Sequence, residues 1–208
     1  MVKVVAVANQ KGGVAKTTTV QSLGVAMAQA GHRVLAVDLD PQACLTFSCG
    51  LNPDELDASL HDVMVRRAKL SDVLLPVVGT DGLDLVPATI DLAGAEVHLL
   101  SRTGREHVLA RALLPVIEGY DAVLIDCPPS LGVLPTMFDA RTTHSRQVLA
   151  EVGERYGLPL FGPPVPKSVR FAEAPGLGKS VLQHAPNSPG AMAYRTLSTT
   201  VYDAMQSA

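Results

Sequence analysis

The chain has 208 residues, 47% of them hydrophobic and 18% charged, which suits one globular domain with a large apolar core. Its formal net charge of −3 excludes the strongly basic class of nucleic-acid-binding proteins, so any contact with DNA has to come from a local basic patch. No apolar run has the length of a membrane span and no leader-like segment opens the chain, so we expect a cytoplasmic protein without a membrane partner.

The first predicted element is a short buried strand over Val4–Ala8, and a glycine-rich loop and a helix over Thr17–Ala30 follow it. The loop therefore ends at a helix N-terminus, where unpaired N–H groups and the helix dipole favour an anion. Lys16 is placed to offer its charge to the β- and γ-phosphates of ATP, and the Thr17 hydroxyl is placed to ligate Mg²⁺. The predicted cofactor-binding residues of the loop are Lys11, Gly12, Gly13, Val14, Ala15, Lys16, Thr17 and Thr18.

The loop departs from the standard phosphate-binding pattern at its last glycine. Ala15 stands there, and because a methyl group disfavours the left-handed region we expect a negative φ at this residue. A second lysine, Lys11, begins the loop. The motif KGGxxKT resembles the deviant Walker A motif of the ParA/MinD family of dimerising ATPases, and the wider ANQKGGVAKTTT is most similar to the ParA/Soj branch of chromosome and plasmid partition. The alternative is a glycine-rich turn without a chemical role.

A second buried strand is predicted over Arg33–Asp38, which completes a β-α-β unit and hence a parallel sheet. The polar run DLDPQ follows at its carboxyl end, where open α/β sheets place their ligand chemistry. This run resembles the D-x-D-P-Q motif of the same family, and the resemblance implies that Asp40 orients the attacking water and that Asp38 supports the Mg²⁺. The alternative is that these aspartates only cap the next helix and a solvated turn.

Between residues 54 and 117 the patterns predict helices and one strand. Helical segments are expected over Asp54–Leu75 in two pieces, over Ala93–Leu100 and over Glu106–Ile117, and a strand over Leu83–Ala88. The three cysteines lack metal-type spacing and are predicted to be reduced packing residues; they are Cys44, Cys49 and Cys127.

Another apolar strand is predicted over Tyr120–Asp126, and a Cys-Pro-Pro-Ser run follows it. An aspartate at such a strand tip is where a Walker B carboxylate holds Mg²⁺, usually through water. The segment resembles IDxPPSLG of the family, and we expect Asp126 to serve the metal.

The resemblance breaks after Leu134 and resumes at Pro135, where PTMFDARTTHS begins. Family members carry about fifty residues between these points, enough for one β-α crossover. We therefore expect an internal deletion, natural or introduced, or a segment left out of the numbering. The missing strand would lie beside the first strand, so its loss exposes that strand's edge or requires the next strand to take its place.

The C-terminal part is predicted to hold a helix over Gln147–Tyr156, a short strand and loop over Pro159–Pro166, and a last helix over Ala191–Met205. Residues 167–175 resemble the IPRxVRxxEAP segment that lies against the adenine base in relatives, which implies that Pro166 and Ser168 bind the cofactor. The implied candidates for nonspecific DNA contacts are Arg141, Arg146, Lys167 and Arg170, with a solvated charged face as the alternative. The run GLGKS at 176–180 also ends a standard phosphate loop, but no buried strand precedes it and we assign it no nucleotide.

The resemblance implies a doubly wound α/β fold of the deviant Walker subclass of P-loop NTPases: a mostly parallel sheet flanked by helices, shortened by about one β-α unit. Residues 1–208 are expected to form one ParA-like ATPase domain, with a nucleotide-binding core over 1–134 and a C-terminal part over 135–208. The predicted catalytic residues are Lys11, Lys16 and Asp40, and the predicted metal-binding residues are Thr17, Asp38 and Asp126.

The resemblance also implies a function. It implies slow hydrolysis of ATP with Mg²⁺, an ATP-dependent homodimer in which Lys11 reaches the partner's nucleotide, nonspecific DNA binding at the nucleoid, and stimulation by a ParB-type centromere-binding protein. Two alternatives stay open: a MinD-like positioning ATPase, and a nucleotide-binding remnant that has lost hydrolysis with the deletion.

Overall fold

The computed structural model describes residues 3–9, 13, 15–66, 68–100, 103–129 and 162–207. They form a five-stranded sheet made of β1 (Lys3–Asn9), β2 (Val34–Asp38), β3 (Leu75–Pro76), β4 (Leu83–Val86) and β5 (Ala122–Pro129). The strand order is β1-β5-β2-β4-β3; the first four strands in this order are parallel, and β3 is antiparallel to β4. The predicted mostly parallel α/β sheet is confirmed.

Helices connect and follow these strands. The α-helices of the described ranges are α1 (Lys16–Gln29), α2 (Cys44–Ser48), α3 (Leu92–Leu100), α4 (Val108–Ile117), α5 (Arg170–Glu173), α6 (Val181–His184) and α7 (Pro189–Ser207). Short 3₁₀ turns cover Pro53–Glu55, Leu70–Asp72, Arg105–His107 and Pro175–Leu177, and a π-helical turn covers Asp62–Arg66. Within the described ranges, no helix is both long and apolar enough to cross a membrane.

Most predicted elements form with small shifts of their ends, but the two-piece helix expected over Asp54–Leu75 is wrong. Isolated turns form there instead, and β3 begins at Leu75. Several apolar side chains of this stretch are nevertheless buried in the core; they are Leu60, Val63, Met64, Leu70 and Val73. The backbone is also tied to the chain beyond β4, since the Leu60 N–H donates to the Pro87 carbonyl at 2.8 Å. Tertiary contacts therefore override the local helical preference. The helix predicted over Gln147–Tyr156 lies outside the described residues.

The central strands are buried on both faces of the sheet. Val34 and Ala36 of β2 belong to the hydrophobic cluster that includes α1 and α7. Leu35 and Val37 of the same strand belong to the cluster that includes α3 and α4. Helices on both faces explain why these strands read as continuous apolar runs instead of alternating ones. The sheet is doubly wound, as predicted.

Strand β1 lies at one edge of the described sheet. Val4 is 47% exposed, Ala6 is exposed as well, and no strand among the described residues pairs with the outer side of β1. The junction after Leu134 itself lies outside the described residues.

The carboxyl ends of three parallel strands lie side by side. In the sheet register, Asp126 of β5 is level with Val7 of β1 on one side and with Asp38 of β2 on the other. Because α1 follows β1 closely in the chain, the start of this helix and the two carboxylates meet at the same end of the sheet.

Candidate functional site

Helix α1 begins at Lys16, directly after a left-handed residue. Ala15 has φ 66° and ψ 29°, so the negative φ expected from the sequence is wrong. The left-handed residue turns the chain from the loop into the helix, and its carbonyl already accepts the Thr19 N–H at 2.9 Å. Relative to glycine the methyl group costs about 1–2 kcal/mol here, which the formation of the helix start has to offset.

The first turn of α1 is bonded to the end of β5. The Thr17 hydroxyl donates to Oδ2 of Asp126 at 2.6 Å. Asp126 is fully buried, and its Oδ1 has no hydrogen-bond partner among the atoms that the structure describes. Burial raises the pKa of Asp126 to about 7, and the bond from Thr17 opposes that rise.

A buried carboxylate with one unpaired oxygen is an unfavourable arrangement that a bound cation relieves. Hydroxyl and carboxylate oxygens are the ligands that Mg²⁺ prefers, and this ion usually keeps several waters and takes substrate phosphates. The oxygens of Thr17 and Asp126 therefore fit Mg²⁺. No group of three or more His, Cys, Asp or Glu side chains suited to a metal occurs in the described part of the chain.

Asp38 differs from Asp126 in its partners, although it is equally buried and lies beside it in register. Its Oδ2 accepts the Thr46 N–H at 2.9 Å and the Thr46 hydroxyl at 2.7 Å. Its Oδ1 accepts the Asp40 N–H at 3.2 Å. Burial raises the pKa of Asp38 to about 6, and the bonds from Thr46 and Asp40 oppose that rise. Both oxygens of Asp38 accept hydrogen bonds from the protein. Asp38 therefore has fewer free oxygen lone pairs for a cation than Asp126.

Asp40 lies on the loop between β2 and α2 and is half-buried. Its Oδ1 accepts the Gln42 N–H at 2.9 Å, a local turn that aspartate side chains commonly make. Pro41 and Gln42 line the cavity at the start of α1. Asp40 directly precedes these residues in the chain and is itself not one of the lining residues.

The cavity has a volume of about 1030 Å³. The described residues of the predicted phosphate loop that line it are Gly13, Ala15, Lys16, Thr17 and Thr18. Residues near the start of the described range 162–207 also line the cavity; they are Lys167, Ser168, Val169 and Phe171. Two apolar side chains, Phe47 and Ile90, complete this part of the wall. Mostly apolar walls with a few polar groups at one place are typical of a pocket for an organic ligand such as a nucleotide. Pro166 is half-buried and is not one of the lining residues, and Lys11, Gly12 and Val14 lie outside the described residues.

Comparison with known proteins identifies the family. A family model described as an AAA domain matches residues 2–150. The chain is 37% identical to the chromosome-partitioning ATPase Soj of Thermus thermophilus, with 100% of this chain and 98% of that protein covered. It is 35% identical to the sporulation initiation inhibitor protein Soj of Bacillus subtilis, with 97% and 98% covered. The chain belongs to the ParA/Soj family of ATPases.

A solved structure supports both the fold and the character of the site. It is described as cobyrinic acid a,c-diamide synthase from Mycobacterium smegmatis with bound ATP analogue and magnesium. The identity is 39%, the TM-score is 0.84, and the match covers 100% of this chain and 97% of that one. A chain with the same fold has thus been observed with an ATP analogue and with magnesium, in agreement with the predicted cofactors ATP and Mg²⁺.

The comparisons also bear on the predicted deletion in this ParA/Soj member. The alignment with the Thermus protein spans 256 positions, whereas the chain has 208 residues, so at least 48 aligned positions have no residue of this chain. That difference agrees with the loss of about one β-α unit.

Two of the four candidate DNA-contacting residues lie in the described part of the chain. Lys167 is exposed and lines the cavity. Arg170 is exposed too, and its Nη1 donates to Oε2 of Glu173 at 2.8 Å, an oxygen that also lies 2.9 Å from Nε2 of His184. The bonds from His184 and Arg170 hold the pKa of Glu173 below its usual value. Arg141 and Arg146 lie outside the described residues.

The GLGKS run is a helix cap in this structure. Ser180 precedes α6, its Oγ accepts the Gln183 N–H at 3.3 Å, and Oε1 of Gln183 accepts the Ser180 N–H at 2.9 Å. This reciprocal capping box explains the serine without a phosphate.

Sequence reasoning missed several residues around the cavity. Phe47 and Ile90 are 55% and 64% exposed although both are large and apolar, and both line the cavity. Tyr194 lines it from α7, and its hydroxyl lies 2.9 Å from Oγ1 of Thr19 on α1. A signal for Phe47 existed, since it follows the D-x-D-P-Q motif closely, but contacts across α1 and α7 have no local sequence pattern.

The prediction of packing cysteines holds for one residue and fails for another. Cys49 is 3% exposed, and burial raises the pKa of its thiol to about 12. Cys127 is half-buried. Cys44 is exposed and lines the cavity, because it begins α2 at the side of the helix that faces the opening.

Proposed function

We propose that the chain binds Mg²⁺ and ATP in the cavity at the start of α1 and hydrolyses the nucleotide slowly. The single observation that carries this proposal is the buried Asp126 carboxylate, which accepts the Thr17 hydroxyl at 2.6 Å and has an unpaired second oxygen next to the helix that begins with Lys16. A cation and a polyphosphate satisfy these groups together.

Each polar residue has a distinct task in this proposal. Lys16 and the N–H groups of the first turn of α1 hold the phosphates, and Thr17 and Asp126 hold the metal, Asp126 through water. When bound, Mg²⁺ neutralises charge on the phosphates. Asp40, whose next two residues line the cavity, orients the attacking water. Lys11 meets the charge that develops during transfer.

Asp38 acts on the metal site indirectly. Its three accepted bonds fix the backbone of Asp40 and the start of α2, and its negative charge lies beside Asp126 in register. It therefore supports the position of the metal and of the loop. Ser168 contributes to the wall of the nucleotide site, and Pro166 supports that wall from the preceding position.

At the level of the cell, we propose a role in chromosome or plasmid partitioning. The ATP-bound form dimerises with Lys11 reaching the partner's nucleotide, binds DNA without reading sequence, associates with the nucleoid, and responds to a ParB-type centromere-binding protein. The similarity to Soj proteins over nearly the whole of both chains supports this proposal. The DNA contacts are assigned to Arg141, Arg146, Lys167 and Arg170, which would act on phosphates and so make binding strongly dependent on salt.

We propose one domain over residues 1–208, with 1–134 as the nucleotide core and 135–208 as the C-terminal part. The packing of α7 on α1 supports a single domain, because Tyr194 is fully buried there and bonded to Thr19. The C-terminal part also supplies Lys167, Ser168, Val169 and Phe171 to the cavity wall.

A second candidate function is a nucleotide-binding remnant without turnover. The observations that favour it are the exposed edge of β1 within the described sheet and the aligned positions at which the chain has no residue. It differs from the first candidate in one measurable property, hydrolysis in the presence of DNA and a ParB-type partner.

Calorimetry with a slowly hydrolysed ATP analogue and Mg²⁺ tests the proposal. Lys16→Ala is expected to abolish binding, whereas Lys179→Ala, which removes the lysine of the GLGKS run, leaves it intact. Loss of binding in both variants, or in neither, contradicts the assignment of the phosphate site.

Light scattering after size-exclusion chromatography with ADP and with ATP then tests dimerisation, with Asp40→Ala expected to prolong the ATP-bound dimer. Binding without turnover, even with DNA and partner present, supports the remnant.

A further inference from the structure

The side chain of Thr46 joins three segments at the carboxyl end of the sheet. Thr46 is the third residue of α2 and is fully buried. Its hydroxyl donates to Oδ2 of Asp38 at 2.7 Å and accepts the Ala88 N–H at 2.9 Å, while its own N–H donates to the same Asp38 oxygen at 2.9 Å. One hydroxyl thus uses both its donor and its acceptor capacity on groups that belong to β2 and to the segment after β4.

Asp38 connects Thr46 to the backbone of Asp40. Oδ1 of Asp38 accepts the Asp40 N–H at 3.2 Å, so the carboxylate bridges Thr46 and Asp40. The turn at Asp40 therefore has two anchors, its own side-chain bond to the Gln42 N–H and the Asp38 carboxylate that Thr46 holds in place.

The Ala88 end leads to the cavity wall. Ala88 is fully buried at the end of the segment that leaves β4, and Ile90, two residues later, lines the cavity. Between them, the Thr89 hydroxyl lies 3.2 Å from the hydroxyl of Ser59. The Thr46 hydroxyl is consequently bonded both to the carboxylate that accepts the Asp40 N–H and to the segment that carries Ile90.

We propose that Thr46 is a positioning residue for ATP hydrolysis, which through Asp38 holds the Asp40 loop in the geometry that orients the attacking water. This inference rests on the proposed function, since it assigns Thr46 to the reaction at that same site. Thr46 touches neither nucleotide nor water in this scheme. Misplacing an orienting group by a fraction of its hydrogen-bond length is enough to slow a reaction strongly while the bound substrate keeps its other contacts.

A merely structural role for Thr46 makes a different prediction. Valine has nearly the same shape as threonine, so Thr46→Val removes the hydroxyl with little change of core volume. If the hydroxyl only stabilised the fold, its loss would lower the melting temperature without separating turnover from binding. If it positions Asp40, its loss lowers kcat and leaves nucleotide affinity intact.

The experiment compares Thr46→Val, Thr46→Ser and Thr19→Val in the full chain. Thr46→Ser restores the hydroxyl, and Thr19→Val is the matched control, since it also removes a buried threonine hydroxyl but one that is bonded to Tyr194, away from Asp38. We expect Thr46→Val to lower kcat for ATP by about tenfold or more, with the Kd of an ATP analogue changed less than about threefold. We expect Thr46→Ser to keep kcat near that of the wild type and Thr19→Val to lose much less than Thr46→Val.

A second readout needs no nucleotide. Hydrogen exchange of the Asp40 amide, followed by NMR on the nucleotide-free protein, is expected to speed up by about tenfold in Thr46→Val and to stay slow in Thr46→Ser and Thr19→Val. If Thr46→Val does not fold, Thr46→Cys, which retains a weak donor of similar size, is put through both assays with the same expected direction.

The outcomes separate this inference from the proposed function. Unchanged kcat in Thr46→Val, equal losses in Thr46→Ser, or an unchanged Asp40 amide overturns the role of Thr46. Failure of the wild type to bind or hydrolyse ATP overturns the proposed function, while the exchange of the Asp40 amide still decides whether Thr46 fixes that loop.

Discussion

The two strand–loop–helix units at the start of the chain, β1–α1 and β2–α2, are built alike and end differently. Each enters its helix through a left-handed alanine, Ala15 with φ 66° and Ala43 with φ 52°. Each helix then presents a threonine hydroxyl to a buried aspartate, Thr17 to Asp126 and Thr46 to Asp38. The two units differ in whether each carboxylate oxygen has a hydrogen-bond partner.

In the first unit the carboxylate remains incomplete, and in the second it is satisfied. Asp126 has one oxygen without a partner among the described atoms, whereas Asp38 accepts three hydrogen bonds over its two oxygens. Burial raises the pKa of both groups, so burial alone does not distinguish them. The set of donors does: it leaves Asp126 suited to receive a cation and makes Asp38 a fixed point for the surrounding backbone.

The largest expected effect is the loss of turnover in Asp126→Asn. The amide keeps the size of the side chain but removes the charge that the metal needs, so kcat for ATP with saturating Mg²⁺ should fall roughly 100-fold. Phosphate release at saturating ATP measures it. Asp121→Asn is the control, because Asp121 immediately precedes β5, at its opposite end, and accepts the Arg33 N–H there at 2.7 Å. Equal losses in both variants would show that the strand, not the carboxylate at its end, matters.

The second-largest effect concerns the free energy of unfolding, for which Asp38 is expected to matter more than Asp126. Asp38→Ala leaves three donors unpaired in a buried site, which should lower the free energy of unfolding by about 3 kcal/mol. Asp126→Ala removes the acceptor of one bond, from the half-buried Thr17, and should cost about 1 kcal/mol. Urea denaturation without nucleotide or metal compares them. A cost for Asp126→Ala as large as that for Asp38→Ala would contradict the division of roles between the two units.

A third expectation concerns pH in the absence of metal and nucleotide. The pKa values of about 7 for Asp126 and about 6 for Asp38 lie above the value of 3.8 for an unperturbed aspartate. Between these values the native state binds more protons than the unfolded state, so stability falls as pH rises through that window. Between pH 5.5 and pH 8 the loss should be on the order of 2–3 kcal/mol, most of it from Asp126, measured by urea denaturation. Asp126→Asn should flatten this dependence more than Asp38→Asn, because the pKa of Asp126 is the higher one. A stability that rises with pH over this range would exclude the buried, ionisable pair.

The first of the two units could largely be predicted from the sequence, and the reason is local. The apolar run of β1, the glycine-rich loop and the helix that starts with Lys16 are adjacent in the chain, and the resemblance to a known motif assigned their chemistry. Asp126 could be predicted from the sequence equally well, because a buried strand that ends in an aspartate is a local pattern. The sign of φ at Ala15 was not, since a left-handed residue depends on how the loop turns into the helix.

The second unit shows where sequence reasoning stops. Asp38 and Asp40 were found through their motif, but the partner that distinguishes Asp38 from Asp126 was not. The Thr46 hydroxyl donates to Asp38, eight residues before it, and accepts the N–H of Ala88, 42 residues after it, and no periodicity links these residues. The helices predicted between Asp54 and Leu75 are wrong for a similar reason. Contacts with the segment after β4 and with the core replace them by short turns.

The smallest effect tests the two left-handed alanines directly. Glycine relieves the strain of a positive φ, about 1–2 kcal/mol, but it also makes the unfolded chain more flexible by about 0.5–1 kcal/mol. Ala15 is half-buried, so Ala15→Gly should stabilise the fold by about 0.5 kcal/mol, as judged by urea denaturation.

At Ala43 the same change should have the opposite sign. Ala43 is 3% exposed and packs in the cluster with Leu35 and Val37, so Ala43→Gly also loses a buried methyl group, which is worth about 0.8 kcal/mol. The net change should be a destabilisation of a few tenths of a kcal/mol. Equal shifts in the two variants would mean that burial of the Ala43 methyl group does not contribute to stability, and the two helix starts would then differ only in the hydrogen-bond donors that they offer to Asp126 and Asp38.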